Sequence, residues 1–248
     1  MHRRTFLVRA TQSAVAFGIL RDLTACRNMS DATLSSAART PADRTFIDVR
    51  DRYFVRVLEL NPVTATYLGG DGYSDDLRDI NGKLRDYRPT IIDGEREFYR
   101  TTARVLAAID PSTLSSSARI DHAVLGAQVA FIVHQLDDLH YYERAVDTYV
   151  AEPFRGVDWQ IQQMQSFPSG QLGSEDEWDL VVSRLEGIPK YLDAARANLL
   201  LGKSAGNIAD RRMIERDGIT GSRANVEYFR TTLQKTSAAY LGSRPFAS

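Results

Sequence analysis

Ala123-Val124-Leu125-Gly126-Ala127-Gln128-Val129-Ala130-Phe131-Ile132-Val133 is the stretch whose reading decides the fold. Gln128 is its one polar side chain, so at 3.6 residues per turn its apolar groups fall on nearly every side. Such a helix is expected to be central and buried. Ser115 to Ser117 offer caps, and the pattern predicts a helix from about Ala118 to Tyr142.

The same period recurs on either side. Thr40-Pro41 is a cap followed by proline at the first helical position, and Phe46, Val49, Tyr53, Val57 and Leu60 continue at helical spacing to Pro62. A glycine-rich turn (Gly69, Gly70, Gly72) precedes a second helix marked by Ile92, Phe98, Val105, Leu106 and Ile109, which stops at Asp110-Pro111. Downstream, Ser174-Glu175-Asp176-Glu177 is a capping box. It opens a helix through Trp178, Val181, Leu185, Leu192 and Leu199, with a kink expected at Pro189. A short helix near Asp210–Asp217 and a last one with Val226, Phe229, Leu233 and Tyr240 complete the series. Sustained apolar/polar alternation is absent. The sequence therefore predicts an all-α, multi-helix bundle with its central helix near 118–142 and a long loop near 150–173.

The N-terminus has a different character. Arg3-Arg4-Thr5-Phe6-Leu7 precedes a short apolar run, Ala14 to Leu20, which is far below the roughly 20 residues that span a bilayer. Arg3, Arg4, Phe6 and Leu7 resemble the twin-arginine export motif. Leu23-Thr24-Ala25-Cys26 resembles a lipobox, with Cys26 as the lipidated residue, although Arg21 and Asp22 are unfavourable neighbours. Residues 1–25 are thus expected to be an export signal, and the small polar residues 26–40 a flexible tether to a helical body at 41–248. The expected location is the periplasm or cell envelope, with a membrane anchor through lipidated Cys26. Removing residues 1–25 leaves 27 basic and 31 acidic residues, a net charge of -4. A balance so close to neutrality argues against a nucleic-acid partner, and one cysteine excludes an internal disulfide.

Chemistry-bearing motifs are scarce. Helical zinc hydrolases use His-Glu-x-x-His, because residues four apart share a face and can grip one metal. None of the four histidines here is followed by glutamate. His134 and Asp138 are four apart and form the nearest substitute, while His140 lies on another face. Gly202-Lys203-Ser204 imitates the end of a phosphate loop, but Ala197 stands where its first glycine is needed. Asp71, Asp75, Asp76 and Asp79 beside Tyr73 form an acidic run, which offers acid/base groups or a solvated loop. Trp159 and Phe167 in the long Glu152–Gly173 segment suggest a cleft, shared with Tyr73 and Asp75, or a loop folded over the core.

Asn61-Pro62-Val63-Thr64-Ala65-Thr66-Tyr67-Leu68-Gly69, then Tyr73 and Asp75 to Asp79, then Ile109-Asp110, Leu114-Ser115 and Arg119-Ile120-Asp121, stand in a familiar order. Tyr191-Leu192, Asn198-Leu199 and Gly202 extend it. Over roughly residues 43–240 this order resembles the N-terminal half of the bacterial domain of unknown function 885 family. The resemblance implies an exported, largely helical, zinc-metallopeptidase-like protein whose His-Glu-x-x-His lies in a C-terminal half. That half lies beyond Ser248, so the chain is expected to be truncated, to carry no catalytic residue and no cofactor of its own, and to need a C-terminal catalytic half or protein partner. Zinc is implied only for the longer family members. The alternative is a self-sufficient helical envelope lipoprotein that binds a ligand or partner without catalysis.

Overall fold

The computed structural model describes residues 40–151, 156–157, 161 and 175–241. The chain divides into Met1–Pro41 and Ala42–Ser248. The export signal, Cys26 and most of the tether lie outside the described residues, as do Ser174, Trp159 and Phe167.

The described residues form helices and turns, with no strand among them. Helix α1 (Pro41–Leu60) buries Phe46, Val49 and Tyr53 on one side, as their spacing of three and four requires. Pro62 ends it and starts α2 (Pro62–Tyr67), where a proline costs no hydrogen bond. Gly69 then turns the chain with a φ of 69°, a conformation only glycine adopts cheaply. Helix α3 (Pro89–Ala107) and α4 (Ser116–Asp137) form an antiparallel hairpin. His122 Nε2 lies 2.9 Å from the Leu106 carbonyl near its turn, and Arg100 pairs with Asp137 at its open end. The Asp43 carboxylate accepts from the Ser115 backbone N–H, tying α1 to the start of α4. After the short α5 (Val146–Val150) comes the longest helix, α6 (Glu175–Ala205), which continues through Pro189. Three further segments, α7 (Arg211–Met213), α8 (Gly221–Glu227) and α9 (Leu233–Leu241), are joined by π-helical turns at Ile214–Thr220 and Tyr228–Thr232. None of the described helices is long and apolar enough to cross a membrane.

One core gathers Phe46, Tyr53, Tyr99, Leu106, Leu125, Val129 and Leu136 from α1, α3 and α4. A second gathers Tyr87, Tyr149, Val157 and Tyr191, and a third Ile161, Trp178, Val181 and Leu233. Val157 and Ile161 fall within the expected long loop, and both are buried.

Two expectations need correction. Helix α4 is not buried all round: Ala118, Leu125, Val129 and Leu136 face the core, whereas Ile120, Val124 and Phe131 are 65%, 64% and 60% exposed. Among the described residues, α1 and α3 pack on its buried side, and Ile120, Val124 and Phe131 stay exposed. The helix also stops at Asp137 rather than near Tyr142, because His140 takes a left-handed φ of 44° that no helix tolerates.

Candidate functional site

Arg85 is the centre of the polar interior. It is 6% exposed, and both terminal nitrogens of its guanidinium meet partners. Nη1 donates to the Leu60 carbonyl at the end of α1 and to Asn61 Oδ1, 2.8 Å away. Nη2 donates to Glu95 Oε2 on α3 at 2.6 Å and to the Tyr142 hydroxyl at 2.7 Å. The guanidinium also stacks over the Tyr87 ring at 4.9 Å. Burial alone disfavours the Arg85 charge, but Tyr142 and Glu95 more than offset that and hold the guanidinium above its ordinary pKa.

Tyrosines complete the cluster. The Tyr87 ring meets Tyr142, Tyr149 and Tyr191 edge-on at 5.3, 4.9 and 5.4 Å. Asn198 of α6 donates to the Tyr87 carbonyl at 2.8 Å and to the Tyr149 hydroxyl at 3.1 Å, and the Tyr191 hydroxyl donates to the Tyr149 carbonyl. Burial pushes the Tyr99 and Tyr149 phenols well above the usual tyrosine range and Tyr53 up to about 12. These groups stay neutral, and the ion-pair partner of Arg85 is Glu95, 2.6 Å away.

A groove of about 860 Å³ opens beside this cluster. One wall is the end of α1 with Arg56 and Glu59, and the opposite wall is the α6 stripe Ser183, Gly187, Lys190, Tyr191, Ala194 and Ala197. The segment from Gly82 to Pro89 lies between them. A Cβ on Gly187 would come within 3.1 Å of Leu84, and Ser183 Oγ donates to the Gly82 carbonyl, so this segment sits tightly on α6. A smaller cavity of about 200 Å³ lies near His140, Glu143, Arg96 and Asp93. Its charges are satisfied locally: His140 Nδ1 is 3.1 Å from Glu143, and Arg96 pairs with Asp93 at 2.6 Å.

Of the residues singled out in the sequence, His134 and Asp138 do come together, with Nδ1 and Oδ2 2.6 Å apart. Both are exposed, and among the described residues no group of three His, Cys, Asp or Glu is placed to hold a metal. A donor set of two does not fit catalytic zinc, which takes about three protein ligands. Tyr73 packs edge-on against Phe54 at 5.1 Å, and Asp75 pairs with Arg78 at 2.6 Å. Neither residue lines the groove or the small cavity. Trp159, Phe167, Cys26, Arg3, Arg4, Phe6 and Leu7 are outside the described residues.

The sequence reading passed over Arg85, Glu95, Tyr87 and Lys83, which sit in stretches rich in charge and look like solvated surface. Asn61, Tyr191 and Asn198 were legible only as parts of a resemblance, and all three meet at the Arg85 cluster. The sequence model of a family described as bacterial protein of unknown function (DUF885) matches residues 62–245. No curated protein and no solved structure matches the chain.

Proposed function

The chain belongs to the DUF885 family, and on that premise we propose that it is the non-catalytic helical part of an exported, zinc-metallopeptidase-like protein. In this reading the zinc and its His-Glu-x-x-His belong to a C-terminal catalytic half or a partner protein. The observation that carries the reading is the outer face of α4. Ile120, Val124, Ala127 and Phe131 follow at steps of four, three and four and form one apolar stripe on an exposed surface. Contiguous apolar patches of this kind mark interaction surfaces, whereas scattered ones do not. The sequence itself contains no His-Glu pair.

The test uses the purified chain and a separately expressed His-Glu-x-x-His segment of a longer family member. The two are expected to associate, and Val124→Glu combined with Phe131→Glu is expected to abolish association while leaving the helical signal unchanged. Stoichiometric zinc and chelator-sensitive peptidase activity from this chain alone would overturn the reading. Equal association of the double variant would remove the α4 face from it.

Export by the twin-arginine route, with Cys26 lipidated in the envelope, belongs to the same proposal and rests on Arg3, Arg4, Phe6, Leu7 and Cys26. Changing Arg3 and Arg4 together to lysine is expected to hold the precursor in the cytoplasmic fraction. Undiminished export of that variant would refute this route.

A further inference from the structure

The groove lined by the end of α1, the Gly82–Pro89 segment and α6 carries a charge pattern that its neighbourhood does not use up. Five cationic side chains line it, Arg56, Lys83, Arg85, Arg88 and Lys190, against three acidic ones, Glu59, Asp86 and Asp193. Arg56 is paired with Glu59 at 2.6 Å, and Arg88 grips both oxygens of Asp86. Arg85 is committed to Glu95. What remains is Lys83, Lys190 and Asp193, none of which makes an ion pair among the described residues. Lys83 approaches from the central segment and Lys190 from the α6 wall, and both are exposed. The lining is net positive in a chain whose formal charge is -1.

Volume decides what kind of anion fits. At about 860 Å³ the groove lies in the upper part of the range of ligand sites, and a lone phosphate or acetate would leave most of it empty. Beside its charged groups the lining carries apolar side chains, with Leu84, Pro89, Ala194 and Ala197. A ligand that matches it needs length, apolar contact area and negative charge together.

We propose that this groove binds a short acidic peptide, with Lys83 and Lys190 receiving its carboxylates. The groove is formed by this chain's own residues, so the proposal stands whether or not the metallopeptidase reading holds.

The test is fluorescence anisotropy with a labelled hexapeptide of alternating glutamate and alanine, measured on the full-length chain. Saturable binding is expected, weakening as salt rises from about 0.05 to 0.5 M because the lysines are exposed. Lys83→Glu with Lys190→Glu should weaken it at least about tenfold, the size expected when two exposed ion pairs give way to repulsion. Lys203→Glu with Arg223→Glu changes the net charge equally at exposed sites outside the groove and should leave affinity within about twofold. Equal weakening by both pairs would reduce the effect to overall charge and overturn the proposal. So would equal binding of a lysine–alanine hexapeptide, or full competition by millimolar inorganic phosphate. Circular dichroism of each variant separates lost binding from lost folding.

Discussion

Arg85→Met is expected to lower the stability of the helical body by about 3–5 kcal/mol, the cost of leaving one half of a buried ion pair without the other. Arg85 and Glu95 side chains are 6% and 4% exposed. The substitution would leave the Glu95 carboxylate, the Leu60 carbonyl, Asn61 Oδ1 and the Tyr142 hydroxyl each short of a donor in a largely buried cluster. Adding Glu95→Leu to Arg85→Met removes the stranded charge and should recover a large part of the loss, because buried pairs are often replaceable by apolar groups of similar size. Urea denaturation followed by circular dichroism measures both. If the single variant unfolds at the wild-type urea concentration, the Arg85 cluster does not hold the body together.

The second large effect is expected at Gly202. A Cβ there would collide with the Glu143 carbonyl oxygen and lie 2.6 Å from the Asn207 carbonyl oxygen, and both obstacles are backbone. Two terms oppose each other in Gly202→Ala. Helix propensity favours alanine by about 1 kcal/mol, whereas forced overpacking costs roughly 1–3 kcal/mol and more where rigid backbone must move. The clash wins, and a net loss of about 2 kcal/mol is expected. Gly94→Ala is the internal control, since Gly94 lies within α3 and a Cβ there meets nothing within 4 Å. It should gain up to about 1 kcal/mol. Thermal melts of the two variants should therefore move in opposite directions, and a stabilised Gly202→Ala would show that α6 does not press on the Tyr141–Glu143 turn.

These two residues also show where sequence reasoning stops. Helix ends were legible because their signals are local: Pro41 allows the start of a helix, and Pro62 and Pro111 each also forbid the continuation of the helix before. Burial was less so. A periodicity argument sees that α4 is apolar nearly all round from Ala123 to Val133, but it cannot tell covered sides from uncovered ones such as those of Val124 and Phe131. The last helix shows the same limit in phase. Val226 and Leu233 share an ideal α-helical face, yet Val226 is 46% exposed and Leu233 is 4% exposed, with the π-turn Tyr228–Thr232 between them. The groove escaped altogether, because its lining comes from residues 56–62, 82–91 and 183–197 and no window of sequence contains them together. Gly202 was visible as a failed phosphate loop and as part of a resemblance, whereas its role in the fold is the near passage of two backbones.

The Arg85 cluster has a mechanical consequence for the groove beside it. One wall is fixed through Leu60 and Asn61, and the central segment through Arg85 and Tyr87. The α6 wall is fixed through Tyr191 and Asn198. Parting these walls means breaking the charge-assisted bonds of Arg85 on the α1 side and buried neutral hydrogen bonds of Tyr191 and Asn198 on the α6 side, so the groove behaves as a fixed jaw rather than a hinge. A ligand entering it meets a shape already formed, and the entropy lost on binding falls on the ligand and on the two lysine side chains, not on the backbone. Affinity differences among ligands should then follow their own stiffness as much as their charge.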